Sequence, residues 1–517
     1  MIRKKNLIVA AAILLLGTAS ALAQARPNLA LQRVIYNAMK TMAKHQGEFK
    51  DKLDAVDKEM AEAARAGRTS EVRHLLAKGT TLLAGREWTD ALEFSNSLVL
   101  RAEEVCLDSS LPYTVRLEQI YAPRVQLSGP LTVRITLHKL GRSQWGVQAG
   151  EKLKDLGQQD GVGRDLQDDP CRIELDLSGI EDGTYLLQAE ILEKKRSLGT
   201  TTLLVGQWKG LSERLRSIEA DLKKIEAFDS FRADVLYPVD HIRNVNRGRF
   251  EMGTFQVSAE LEAAEDVLTS IKNGKDPFVS RTGDMERHYL LEGADEIMPY
   301  RVYVPKMYNG KTAYPLIIAL HGLGGTEDSI FDSYDKQVPK LAEEHGYIMA
   351  APLGYRVDGF YGMSLPGNPE DAGVKRRREY SEEDVMSVLA LMRKNYKIDE
   401  SRIYLMGHSM GAIGTWHLGA KYPEIWAALA PFAGFGDPSS VAKMKHIPEI
   451  VVHGDADPTV PVAGSRAMVA EMKRQGVQVQ YIEVPKGNHM DIVVPNLGAV
   501  FKFFDKHHKA KSKISGK

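Results

Sequence analysis

From Arg287 onward, short apolar runs alternate with amphipathic ones. His288 to Leu291, Tyr300 to Val304, Leu316 to Leu320, Tyr347 to Ala351, Arg402 to Met406, Trp426 to Ala430, Ile450 to His453 and Val479 to Val484 read as strands, with helices between them, notably Glu382 to Lys394 and Gly464 to Gln475. Strands that are apolar almost throughout, spaced by helices, predict an α/β class: a mainly parallel sheet with helices on both faces. Ligands of such sheets bind beyond the carboxyl ends of the strands.

Ahead of that region the periodicity changes twice. Residues 24–110 are helical in pattern, with Leu31, Val34, Ile35, Ala38 and Met39 on one face and Phe49, Leu53, Val56 and Met60 on another. Both sets fit a 3.6-residue period, and Gly67, Gly79 and Gly85 punctuate them into a small bundle. At Pro112 alternating strands begin: Tyr113 to Ile120, Leu131 to His138, Arg172 to Leu177, Thr184 to Glu193 and Ser197 to Val205. Residues 111–206 have the size of one immunoglobulin-like β-sandwich, and Tyr185 after Glu181-Asp182-Gly183 stands where a tyrosine pins a corner in such domains. Gly141 to Asp169, polar and glycine-rich, reads as a long surface loop. In residues 207–284 helical spacing returns with Leu211, Leu215, Ile218, Leu222 and Ile225, then Phe255, Val257, Leu261, Ala264 and Leu268. That pattern predicts a helical pair or linker without chemistry.

The chain starts with a basic cluster, an apolar run from Leu7 to Leu16, and Ala21-Leu22-Ala23 before Gln24. This is the layout of a secretory signal peptide spanning residues 1–23, and the apolar run is short of the ~18 to 20 residues a spanning helix needs. A periplasmic or secreted bacterial protein without a membrane anchor after cleavage is expected. Lys+Arg and Asp+Glu are both 68, so no global field points to nucleic acid. Loss of Arg3, Lys4 and Lys5 with the leader leaves 65 basic against 68 acidic residues. The two cysteines, Cys106 and Cys171, are too few for a four-ligand metal site; export permits a disulfide between them, and bridge and free thiols stand as equal alternatives.

Candidate chemistry falls at the predicted strand ends. Arg402 to Met406 leads into Gly407-His408-Ser409-Met410-Gly411, a G-x-S-x-G elbow in which small neighbours let strand and helix approach and expose the serine. Ser409 is the candidate nucleophile. His321-Gly322-Leu323-Gly324-Gly325 follows an earlier strand and offers unhindered N–H groups, so Met410, Leu323 and Gly322 are the candidate oxyanion donors. The architecture requires the acid next and the histidine last. Asp457 in Gly454-Asp455-Ala456-Asp457-Pro458 is preferred over Asp455, and His489 in Gly487-Asn488-His489 is the base. His321 sits in the donor loop, His408 at the variable elbow position, His453 before the acid, and His507-His508 in a lysine-rich tail. Tyr355, Arg356 and Tyr361, in the segment Leu353 to Tyr380, and Trp416 are weaker candidates for substrate contact. A metal reading of His453, Asp455 and Asp457 lacks a further ligand pair at metal-site spacing.

On these motifs, residues 285–508 resemble secreted bacterial α/β-hydrolases of the feruloyl esterase, polyhydroxybutyrate depolymerase and "predicted peptidase" group. Ala412 replaces a second glycine common in that group, and Asn488 stands where glycine is frequent before the histidine. The resemblance implies an α/β-hydrolase fold, some relatives carrying an immunoglobulin-like domain in front; the residues at 509–517 read as a basic tail. It also implies a cofactor-free serine esterase acting on short-chain, acetyl or feruloyl-type esters, free or polysaccharide-linked. A prolyl oligopeptidase-like peptidase and an inactive hydrolase-fold binding protein are the alternatives.

Overall fold

The computed structural model describes residues 29–42, 48–125, 127, 129–143, 146–163, 165–225, 229–249, 256–278, 281–364 and 372–509. The leader expected at 1–23 lies outside the described residues, as does the tail beyond Lys509. Among the described residues no helix is long and apolar enough to cross a membrane. The described residues form two compact units, one from residues up to Lys224 with Pro238–Glu262, the other from Ile225–Tyr237 with residues from Ala263 on. The span 207–284, read in sequence as one linker, is therefore divided between the two.

In the first unit, helices Leu29–Met42, Glu48–Arg65 and Thr69–Leu83 gather Tyr36, Val56, Met60, Val72, Leu75 and Leu76 into a core. Strands start earlier than expected. β1 (Leu98–Ala102) and β2 (Cys106–Asp108) lie inside the stretch read as helical, β1 following the helix Asp90–Ser97 with no intervening turn. The others are β3 (Tyr113–Gln119), β4 (Leu131–Ser143), β5 (Gly146–Val162), β6 (Cys171–Leu175), β7 (Gly183–Glu193) and β8 (Arg196–Trp208). They form a three-stranded sheet, β1-β3-β6, and a five-stranded sheet, β2-β8-β7-β4-β5. β5 corrects the surface loop expected at Gly141 to Asp169: it is a 17-residue strand antiparallel to β4. As the last strand of its sheet it keeps water on its open side, so its sequence carries lysines, aspartates and glutamines in place of an apolar alternation. Tyr185 in β7 donates from its hydroxyl to the Glu181 carbonyl at 2.8 Å. Cys106 and Cys171 are both buried free thiols, which removes the disulfide alternative in this structure.

The second unit is built on β9 (Gly283–Leu291), β10 (Glu296–Val304), β11 (Tyr314–Leu320), β12 (Ile348–Pro352), β13 (Ile398–His408), β14 (Ala428–Phe432), β15 (Glu449–Gly454) and β16 (Val479–Val484). Their order is β16-β15-β14-β13-β11-β12-β10-β9. β10 is antiparallel to both neighbours, and from β12 to β16 every pairing is parallel. The period of two divides the strands between two cores. Leu316, Ile318, Leu320 and Leu405 pack with helices Ala372–Asn395, Met410–Lys421 and Ala463–Gln475 on one face. Ile317, Ala319, Tyr404 and Met406 pack with Gln337–His345 and Val493–Lys506 on the other. All eight strands read from the sequence are present, each within a few residues of its expected position.

Candidate active site

The elbow is possible because two glycines remove atoms where backbones meet. A Cβ on Gly407 would lie 2.3 Å from the Gly411 carbonyl oxygen, and one on Gly411 would lie 2.1 Å from that of Leu320. Those contacts are backbone, so nothing can yield. Ser409 is held at φ 58°, ψ −118°, a left-handed conformation disfavoured for any residue with a Cβ and kept only where surroundings impose it. Its N–H donates to Phe432 at 2.9 Å, and its carbonyl accepts from Ala412 and Ile413 as the helix starts. Ala412, the departure from a second glycine, packs on Gly434, where an added Cβ would come within 2.5 Å of its own.

The donor loop leaves β11 beside the elbow: a Cβ on Gly322 would sit 3.4 Å from that of Ser409. Gly324 N–H donates to Val357 and Gly325 N–H to Gly322, fixing the chain on the far side of Leu323. Met410 is the first residue of its helix, so its N–H has no acceptor within the helix. Loop and helix start therefore converge on the serine from two strand ends.

Asp457 and His489 come together from the ends of β15 and β16. His489 Nδ1 faces Asp457 Oδ2 at 2.7 Å. Oδ1 accepts the N–H groups of Thr459 and Val460 at 2.8 and 2.9 Å, and His453 Nε2 lies 3.3 Å from Oδ2. Burial alone would raise the Asp457 pKa, but hydrogen bonds from His453, His489 and the Val460 amide outweigh it and hold the carboxyl well below the usual range. The runner-up, Asp455, is exposed and caps the next turn by accepting from Lys486 N–H at 2.5 Å. Asn488, in place of a glycine, holds its own turn together. Its side chain accepts from Met490 and Asp491 N–H while Asp491 accepts from its N–H, a reciprocal arrangement that carries His489.

His489 also meets the elbow. Its ring centroid is 4.7 Å from that of His408, and its carbonyl faces His408 Nε2 at 2.8 Å. Tyr334 closes the other side, with its hydroxyl 2.9 Å from His408 Nδ1. Sequence reasoning passed over His408 and Tyr334, since no local spacing joins them.

The four weaker substrate candidates are all engaged by partners within the fold. Tyr361 is fully enclosed and donates to the His321 carbonyl at 3.0 Å, and Trp416 is enclosed beneath the elbow helix. Tyr355 is buried against Tyr380, and its N–H donates to Asp384 at 2.7 Å; burial pushes that carboxyl up to about 6. Arg356 pairs with the buried Glu296 at 2.8 Å and lies over the Tyr355 ring. These side chains support the donor loop and the core. Residues 365–371 of the same segment lie outside the described residues. Trp416 Nε1 donates at 2.8 Å to Glu449 Oε2, whose carboxyl burial pushes up to about 8, while Oε1 has no hydrogen-bond partner among the described residues.

Known proteins resemble part of the chain. "Feruloyl esterase B" of Neurospora crassa is 31% identical over 136 residues, covering 26% of this chain and 42% of that protein. "Bifunctional acetylxylan esterase/xylanase XynS20E" of Neocallimastix patriciarum is 27% identical over 156 residues, 30% of this chain and 21% of that protein. Each alignment thus spans less than half of the relative. Among solved structures, a ferulic acid esterase from Anaeromyces mucronatus in complex with ferulic acid is 18% identical, covers 45% of this chain and 93% of its own, and has a TM-score of 0.37. Residues 293–490, which run from the turn before β10 through the elbow to His489, match the family described as "Putative esterase".

Proposed function

We propose that the second unit is a serine carboxylic-ester hydrolase using Ser409, Asp457 and His489. The observation that carries this reading is the left-handed Ser409 at a strand-to-helix turn, with the Asp457-bonded His489 packed on the ring of the adjacent His408. Asp457 engages Nδ1, leaving Nε2 as the atom that takes the Ser409 proton when Oγ attacks the ester carbonyl. The N–H groups of Met410 and Leu323 receive the oxyanion. His489 then protonates the departing alcohol, and a water, activated by the same nitrogen, releases the acid and regenerates Ser409.

The substrate class is short-chain, acetyl or feruloyl-type esters, including polysaccharide-linked ones; the names of the fungal relatives and the match to residues 293–490 support it. Export follows from the leader pattern at residues 1–23. The paired sheet orders and the Tyr185 corner support an immunoglobulin-like reading of the first unit's strands.

Rates of the purified protein on acetyl, butyryl and feruloyl esters and on a proline-containing peptide amide test the reading. Ester turnover that Ser409→Ala abolishes is expected. Equal turnover in the two proteins refutes the nucleophile, absence of turnover in both favours a binding role, and preference for the amide reassigns the site to a peptidase. A full-length product confined to the cytoplasm overturns the export proposal.

A further inference from the structure

His408 occupies the variable position of the elbow, yet it is buried and both ring nitrogens are engaged. Nε2 faces a backbone carbonyl, which can only accept, so Nε2 carries the hydrogen and Nδ1 keeps a lone pair for the Tyr334 hydroxyl. The ring is therefore in one neutral tautomer, bridging a phenol and the main chain of the base. Burial, with the neighbouring His489 ring, pushes its pKa down to about 3.

Tyr334 is delivered at a conformational cost. Tyr334, Asp335 and Lys336 have φ of 55°, 55° and 53°, three successive left-handed residues, none of them glycine. Such a run persists where contacts over-determine it. The Tyr334–His408 bond and the edge-on packing of the two rings, 5.8 Å apart, are contacts of that kind.

We infer that His408 is a positioning residue for His489, clamped by Tyr334, that sets the separation between base and nucleophile. Asp457 fixes the rotation of the His489 ring, but the loop bearing His489 arises from another strand. His408 is covalently adjacent to Ser409, so its bond to the His489 carbonyl ties base and nucleophile by a path of a few bonds. This rests on the esterase reading.

The test compares kcat per active site, titrated with a fluorophosphonate, for wild type, Tyr334→Phe, His408→Leu, His408→Gln and the Tyr334→Phe/His408→Leu pair. Misplacing the base predicts a fall in kcat of about 10- to 100-fold for His408→Leu with KM within about twofold. Glutamine, whose amide reaches the Nε2 position, recovers most of it. Tyr334→Phe, which removes only a hydroxyl, lowers kcat alone and has no further effect in the His408→Leu background. A role limited to folding would lower the titrated fraction and leave kcat per site unchanged, which overturns the proposal. So does a silent Tyr334→Phe should His408→Leu fail to fold. If wild type and Ser409→Ala are equally inactive, the esterase reading fails first and takes this one with it.

Discussion

Glu449 offers a quantitative check on the core beneath the elbow. It is fully buried at the start of β15, with one oxygen bonded to Trp416 Nε1 and the other without a partner among the described residues. Burial raises its pKa from the ordinary 4.5 to about 8. Between those values the folded protein holds a proton that the unfolded chain releases, so stability falls as pH rises through the window. One proton corresponds to about 1.4 kcal/mol per pH unit, giving a loss on the order of 4 to 5 kcal/mol by the upper end. Glu449→Gln resembles the protonated acid in shape and cannot ionise. Urea titrations followed by tryptophan fluorescence and by loss of ester hydrolysis, at about pH 5, 7 and 9, should show the variant close to wild type in acid and several kcal/mol more stable in base. Difference infrared spectra at neutral pH should show a protonated carboxyl stretch in wild type that the variant lacks. Parallel stability curves for the two proteins would refute a buried neutral acid.

Two further substitutions probe the site itself. Asp457→Asn should lower kcat by on the order of 10³- to 10⁴-fold by inviting the wrong His489 tautomer, whereas Asp455→Asn, a cap on an exposed turn, should stay within about twofold; kcat/KM on an aryl ester decides, and equal losses would undo the choice of acid. Because the Asp457 carboxyl is held below its usual range, its stabilisation is complete above ~4 and is lost only as pH falls toward its folded value, so it adds nothing to the activity profile near neutrality. Gly411→Ala should yield no active protein, since its methyl would meet the Leu320 carbonyl; soluble expression with normal turnover would contradict the elbow packing.

The parallel sheet was legible because strands buried on both faces read as apolar runs bounded by turns. The candidates Ser409, Asp457 and His489 were legible because chain order links residues at successive strand ends. β5 was not: with solvent along its open side it is rich in glycine, lysine, aspartate and glutamine, which composition alone assigns to a loop. β1 was not, because Leu98-Val99-Leu100 after a helix fits either period. Tyr361, Arg356 and Trp416 looked like ligand contacts because aromatic and cationic residues near strand ends are compatible with both roles. What turned them inward was the His321 carbonyl, Glu296 and Glu449, partners distant in sequence. The same non-locality hid the Tyr334–His408–His489 chain.

The contact between Ala412 and Gly434 makes the two positions interdependent in sequence change. The methyl of Ala412 fills the space that Gly434 leaves open, so a side chain at 434 is tolerable only after 412 has become glycine. That order, with glycine at 412 first, opens a methyl-sized gap costing about 1 kcal/mol under the elbow. Exchange of the Ala412–Gly434 pair for glycine at 412 and a side chain at 434 must therefore pass through the loosened intermediate, and substitution at 434 alone is closed.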